Sequence, residues 1–379
     1  MPLLHTLLAS LLVALSCAAE PDGDGVVGRY FSGVFGGYFG NEVIFNPQAV
    51  EEDKQEPRNR PCPDVDVIAP CVCTFNDQDT YFLDLDCSKV ESEEQLTTIM
   101  SSTFPFPNFR KLTIESNYNL AVLRRDALGS ATFQEFYITD GVLTEVETGA
   151  LSSSSSTAIS MHFENNDIAV FPWGELSSFT ALVDLDVSSN SISTFPALIS
   201  HSLKYLDLSN NSLGLVPDTA FKGASVIEEI YLNDVNMLEI VPGTFSGLHQ
   251  LSTVSLNNNQ LTEVPEGSIQ FTVTSRYTDV FLSENKISTI AVNAISGVTH
   301  GSDIYLESNQ LTDLFEDVWS PLLAKGARLH AQENPLDCGC GIAWIMLNSS
   351  ILALIDDSTT CSDGELLVNL SPEIFEELC

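Results

Sequence analysis

A nine-position pattern, L-x-x-L-x-L-x-x-N, recurs along this chain and limits its fold more than any other feature. It is cleanest in LVDLDVSSN, LKYLDLSNN and LSTVSLNNN. Aligning the last position gives Asn117, Gly141, Asn166, Asn190, Asn211, Val235, Asn259, Asn285, Asn309 and Asn334, spaced by 21 to 26 residues. Five residues before each marker stand Leu112, Phe136, Met161, Leu185, Leu206, Ile230, Val254, Val280, Ile304 and Leu329. Three residues before it stand Ile114, Ile138, Phe163, Val187, Leu208, Leu232, Leu256, Leu282, Leu306 and Ala331. Every one of these sites is apolar in a chain that is 44% hydrophobic, so the columns are structural and not compositional.

Such columns are those of leucine-rich repeats. Alternation of period two puts both apolar side chains of L-x-L on one face of a short strand, and parallel strands of successive repeats stack at about 4.8 Å. Ten strands give a sheet roughly 45 Å long. One repeat has only half a core, so stability comes from its neighbours. The marker asparagine sits where the chain leaves the strand, and its amide can satisfy buried backbone groups of adjacent turns. Gly141 and Val235 lack that amide, so an irregular turn is expected at each. Beyond the markers, Val146, Phe171, Phe195, Val216, Ile240, Val264, Ile290 and Leu314 return to the core. Pro172, Pro196, Pro217 and Pro265 suit extended convex turns better than further strands. The step after Asn190 is the short one, and Ser200 stands where other repeats place a large apolar residue. The expected class is an α/β solenoid: a leucine-rich-repeat horseshoe with a concave parallel β-sheet and disulfide-bonded N- and C-terminal caps.

Compartment follows from the first residues. MPLLHTLLASLLVALSCAAE joins an apolar run, Leu7 to Leu15, to the small residues Ser16 to Ala19, which is the form of a secretory signal peptide spanning 1–19. The run is too short to cross a bilayer, and no later stretch is long enough, so a secreted, extracellular product without a membrane span is expected. Loss of Cys17 leaves eight cysteines, an even number in an oxidising compartment, where disulfides are the default and zinc the rival reading. Four of them, Cys62, Cys71, Cys73 and Cys87, precede the repeats, and Cys338, Cys340, Cys361 and Cys379 follow them. An open stack exposes a sheet edge and an apolar cross-section at each end, so both clusters fall where covers are needed. The remaining organisation is a Gly- and aromatic-rich flexible arm at 20–60, an N-terminal cap with a first helix at 61–108, about nine repeats at 109–333, and a C-terminal cap at 334–379. Ser92 and Gln95 have capping-box spacing at the start of that first helix.

Charge narrows the partners. With 52 Asp plus Glu against 15 Lys plus Arg, the formal net charge is −37, which repels nucleic-acid phosphate and anionic membrane surfaces. The inward strand positions are spent on packing, so binding falls to outward residues of the concave sheet. Tyr205, Tyr231, Phe281 and Tyr305 supply aromatic contact area there, among Asp186, Asp207, Asp279 and Asp303. His162 and His330 also point outward, but they lie far apart in repeat number. No nucleophile elbow, zinc-helix motif, phosphate loop or dinucleotide fingerprint is present, so neither catalysis, a cofactor nor a metal site is expected. Asp77, Asp79, Asp84 and Asp86 lack the spacing of a calcium loop and read as a hydrated acidic patch. Glycan sequons fall at Asn210, Asn348 and Asn369; Asn348 is favoured, because Pro372 follows the third closely and Asn210 lies beside a packed turn.

Three segments carry a resemblance: ESEEQLTTIM after the front cysteines, FPFPNFRKLTIESNYNL at the first repeat, and NPLDCGCGIAW at the rear. From Cys62 to Cys379 the chain resembles secreted arthropod leucine-rich-repeat proteins, in particular the family of the non-catalytic subunit of oplophorus-luciferin 2-monooxygenase. The arm before Cys62 lies outside the resemblance. It implies pairing of Cys62 with Cys73, Cys71 with Cys87, Cys338 with Cys361, and Cys340 with Cys379, whereas spacing alone allows other pairings. It also implies a non-catalytic helper of another secreted protein, a small catalytic subunit, with no catalytic residue carried over. The alternatives are an extracellular matrix or cuticle component and an innate-immune pattern-binding protein.

Overall fold

The computed structural model describes residues 62–76, 79–273 and 276–379, so the signal peptide and the arm expected at 1–60 lie outside it. A sheet of twelve strands runs the length of these residues. Its order is the chain order: Val72–Asn76, Asp79–Asp86, Asn108–Glu115, Thr132–Thr139, Ser160–His162, Asp184–Asp186, Tyr205–Asp207, Glu229–Tyr231, Thr253–Ser255, Asp279–Phe281, Asp303–Tyr305 and Arg328–His330. Only the first pair is antiparallel, and every later pair is parallel in register with its repeat partner. The front cap thus adds two strands to the ten expected. Both apolar columns are wholly inside: all twenty residues are 2% exposed or less.

The chain turns out of each strand through a left-handed residue immediately before the marker. Ser116, Asp140, Asn165, Ser189, Asn210, Asp234, Asn258, Glu284, Ser308 and Glu333 all have φ between 51° and 57°. Short polar residues tolerate this region best, which explains why Asn, Asp and Ser dominate the position. The next residue then fixes the turn. All eight marker asparagines bridge two coils through Nδ2, and in seven of them Oδ1 also takes an N–H of the preceding coil. Asn309, for example, accepts from the Ile287 N–H at 2.9 Å and donates to the carbonyls of Leu282 at 2.9 Å and Leu306 at 3.0 Å.

The two turns without asparagine are built otherwise. A Cβ on Gly141 would already lie 2.8 Å from the Asn117 carbonyl oxygen and 2.9 Å from Asn166 Oδ1, so no side chain fits. Asn117 accepts instead from its own repeat, from the N–H groups of Asn119 and Leu120 at 2.9 Å, and the flanking strands lengthen to eight residues each. At Val235 the side chain is buried, its carbonyl accepts from Gly214 N–H at 2.9 Å, and Asn259 serves two donors, Val235 N–H at 3.1 Å and Met237 N–H at 2.9 Å.

The convex side departs from expectation in one respect. Val146, Val264 and Ile290 belong to two-residue parallel strands, Glu145–Val146 with Val122–Leu123 and Glu263–Val264 with Thr289–Ile290, the second strand pair stopping just before Pro265. Of these strands only Glu263–Val264 precedes a proline, Pro265, which holds Val264 extended; the other three pair without one. At Ser200 no large side chain closes the coil. Leu198 fills the core, and the wholly buried Ser200 hydroxyl accepts from Leu203 N–H at 3.1 Å.

Both ends are sealed. At the front, bonds Cys62–Cys73 and Cys71–Cys87 tie the antiparallel strand pair over Leu83, Leu85 and Val90. The helix Glu93–Met100 follows, its N-terminus capped by Ser92 Oγ accepting from Gln95 N–H at 3.2 Å, while Gln95 Oε1 reaches back to the Glu91 N–H at 2.7 Å. At the rear, Cys338–Cys361 and Cys340–Cys379 hold short helices, among them Pro372–Leu378, against Ile342, Ile345 and Leu367. The last strand is covered there: Leu329 N–H donates to the Leu354 carbonyl at 2.8 Å, and Trp344 Nε1 donates to the Leu314 carbonyl at 2.9 Å. Among the described residues no helix is long and apolar enough to cross a membrane.

Candidate functional site

Side chains six, four and two residues before each marker project from the outer face of the sheet, and parallel register sets them side by side. The aromatic residues singled out from sequence meet in pairs. Tyr205 and Tyr231, on adjacent strands, have ring centroids 5.1 Å apart, and Phe281 stacks on Tyr305 at 4.6 Å with the planes 4° apart. His330 extends the second stack at 4.4 Å, making a three-ring ladder that sequence reading missed. Tyr137 and His162 form a third stack at 4.6 Å. The strand bearing Ser255 separates the Tyr205–Tyr231 pair from the ladder. All of these rings are half-buried against one another, so each presents an edge and part of a face.

The acidic residues divide into paired and unpaired sets. Asp303 is 9% exposed; its carboxylate takes Arg328 at 2.6 Å and His330 Nε2 at 2.8 Å, and Asp356 of the rear cap meets His330 Nδ1 at 3.2 Å. Burial pushes the Asp303 carboxyl up, but the hydrogen bonds from Arg328 and His330 outweigh it and hold it below the usual range. Asp303 is therefore engaged in a structural tie to the last strand. Asp186, Asp207 and Asp279 have no lysine or arginine partner among the described residues. Burial raises the Asp207 carboxyl despite hydrogen bonds from Ser209, with the Asp186 charge adding to the rise. Burial raises Asp279 likewise, against the hydrogen bond from the Asp303 N–H. Tyr205 and Tyr231 are raised by burial too; next come the Asp207 charge for Tyr205 and, for Tyr231, the hydrogen bond it donates to Glu229 Oε2 at 2.9 Å. The middle of the face thus concentrates negative charge that no lysine or arginine among the described residues pairs with.

The two outward histidines stay apart, as their repeat numbers require, and each instead meets carboxylates of its own neighbourhood. Around His162, Ser160 Oγ lies 2.8 Å from Nε2 and donates to Asp184 Oδ2 at 3.2 Å, while Glu164 Oε2 stands 3.7 Å from Nδ1. The hydrogen bond with Asp184 is the main reason His162 is raised above an ordinary imidazole, and burial is the main reason Glu164 is raised above an ordinary carboxyl. Donor atoms of His162, Glu164 and Asp186 all lie within 4.8 Å of one another, and among the described residues this is the one grouping with the donor types of a metal site. In the acidic run near the front cap, Asp84 pairs with Arg110 and Asp86 accepts from Ser88 N–H at 2.9 Å; Asp77 lies outside the described residues. The three sequon asparagines are all exposed. Asn348 caps the helix Ser349–Leu352 through its Oδ1, Asn210 occupies a left-handed turn position, and Asn369 ends a short 3₁₀ turn.

The Leucine rich repeat family matches residues 201–261. The Oplophorus-luciferin 2-monooxygenase non-catalytic subunit of Oplophorus gracilirostris is 34% identical over 343 residues, covering 89% of this chain and 94% of that protein. Lumican of Coturnix japonica is 26% identical over 262 residues, covering 65% of this chain and 71% of lumican. Among solved structures, a chain of the octameric complex of Latrophilin 3, Unc5D and FLRT2 (LRR) superposes with a TM-score of 0.61 at 20% identity. The match covers 82% of this chain and 98% of that one, a likeness of fold alone.

Proposed function

Because the chain belongs to the leucine-rich-repeat family of the Oplophorus-luciferin 2-monooxygenase non-catalytic subunit, we propose that it is a secreted accessory subunit that holds another extracellular protein on its concave face. The chain itself is non-catalytic, like that relative. One observation carries the reading: the unpaired carboxylates Asp186, Asp207 and Asp279 share the central strands with the stacked rings of Tyr205, Tyr231 and Phe281. Rings held by stacking lose little entropy on binding, and half-buried carboxylates without cations favour a partner that brings lysine or arginine. Disulfides at both ends suit an oxidising, extracellular setting.

Native pull-down of the full chain followed by mass spectrometry tests the proposal. A stoichiometric protein whose capture weakens about tenfold or more with Tyr231→Ala or Phe281→Ala is the expected result. Recovery only with insoluble matrix, or capture that neither substitution changes, would overturn it.

A further inference from the structure

The surroundings of His162 are organised more tightly than a solvated sheet face needs. His162 and Asp186 are register partners on adjacent strands, as are Ser160 and Asp184. Ser160 Oγ lies 2.8 Å from His162 Nε2 and donates to Asp184 Oδ2 at 3.2 Å, and that carboxylate oxygen is itself 3.4 Å from Nε2, so a proton on Nε2 meets acceptors there. In the neutral ring, Nδ1 is then the bare nitrogen. It points to Glu164 Oε2 at 3.7 Å, beyond hydrogen-bond reach, and that oxygen is out of solvent with no hydrogen-bond partner. Asp184 Oδ1 is likewise buried and unpartnered. Stacking on Tyr137, with the planes 11° apart, fixes the ring in this orientation. Lone pairs of a nitrogen and two carboxylates therefore converge, and no lysine or arginine among the described residues pairs with Glu164, Asp184 or Asp186.

We propose that His162 Nδ1, Glu164 and Asp186 bind a divalent transition ion of the zinc class, with Asp184 and Ser160 as positioning residues. The outer pair has the arrangement that metal-binding histidines use: the ring nitrogen not on the metal is held by a carboxylate or hydroxyl, which sets the tautomer and strengthens the ligand. A nitrogen donor among the ligands selects zinc-like ions over calcium or magnesium, which take oxygen alone. Ligands at about 2.0–2.2 Å from a tetrahedral ion stand roughly 3.3–3.5 Å apart. The donor atoms here lie within 4.8 Å of one another, so each separation needs to close by at most about 1.5 Å, within the reach of side-chain rotation. Three protein ligands leave the fourth position to water. The sequence hides the site because its ligands come from two repeats and match no contiguous motif.

Calorimetric titration of the metal-free full chain with Zn²⁺ tests the inference, together with the visible d–d spectrum on titration with Co²⁺. The expected result is one saturable site, weakened at least tenfold by Glu164→Gln and by Asp186→Asn and unchanged by Asp279→Asn. The low-coordinate cobalt spectrum should be lost in the same two variants. Both substitutions preserve shape, and circular dichroism checks that each variant is folded. Binding that never saturates, or that falls equally with Asp279→Asn, would mean general attraction to an acidic surface and would overturn the proposal. Asp186 is shared with the proposed partner face, so the readout is taken on metal alone without a partner; its failure leaves Asp207, Asp279 and the rings to carry that reading, and failed capture leaves the metal titration standing.

Discussion

Asn259 is the residue whose loss should most clearly expose how the coils are joined. Two groups of the preceding coil depend on its Oδ1, Val235 N–H at 3.1 Å and Met237 N–H at 2.9 Å, and its Nδ2 donates to the Leu232 carbonyl at 2.8 Å. Asn309 is the natural control, since its Oδ1 takes a single donor, Ile287 N–H, and its Nδ2 reaches Leu282 of the preceding coil. Both side chains are about equally buried, 5% and 6% exposed, so transfer terms nearly cancel between the two truncations. A buried backbone group left without a partner costs about 1–3 kcal/mol. Asn309→Ala strands one donor and one acceptor of the preceding coil and should cost roughly 2–6 kcal/mol; Asn259→Ala strands a second donor and should cost about 1–3 kcal/mol more. Urea unfolding followed by far-ultraviolet circular dichroism measures the difference, with an unchanged denaturant slope confirming that the same surface unfolds. Equal losses in the two variants, within about 0.5 kcal/mol, would refute the claim that one asparagine supports the Val235 turn as well as its own.

Other expectations concern the rear cap. Replacing Cys340 and Cys379 together by serine opens a loop whose ends are 39 residues apart and should cost about 4 kcal/mol, read as early proteolysis or fast hydrogen exchange in the terminal helix Pro372–Leu378. Trp344→Phe keeps an aromatic ring but loses the indole N–H and leaves the Leu314 carbonyl without its donor, for a loss of roughly 1–2 kcal/mol from the lost hydrogen bond in urea melts. Asp303 and Asp356 are both held below the usual carboxylate range, Asp356 chiefly by hydrogen bonds from Ser358. A depressed native value means stability that is full above the ordinary aspartate value near 3.9 and is lost as pH falls through the native one. The melting temperature should therefore drop steeply below about pH 4, and Asp303→Asn should flatten that slope. An unchanged slope in the variant would remove Asp303 from the account.

Much of the site was legible only in part. Period-two alternation identifies Tyr205, Tyr231, Phe281 and Tyr305 as outward, and they are outward and stacked. The same alternation could not tell Asp303, tied to Arg328 and His330, from Asp207, which has no lysine or arginine partner among the described residues. Nor could it show that His162 and His330 end in different carboxylate settings, because those partners stand one repeat or a whole cap away in the chain.

The amino-acid sequence by itself determined the ten repeat strands, the two buried columns and the placing of cysteines at both ends, since each follows from alternation within a few residues or from the need to cover an open stack. Tertiary structure decided which outward side chains touch. Repeat steps vary from 21 to 26 residues, and only the hydrogen-bonded register between coils absorbs that variation and sets Asp184 and Asp186 beside Ser160 and His162. It also decided how the turns lacking asparagine are closed, because the missing amide is replaced by groups from another coil or from the same turn, and no local pattern says which.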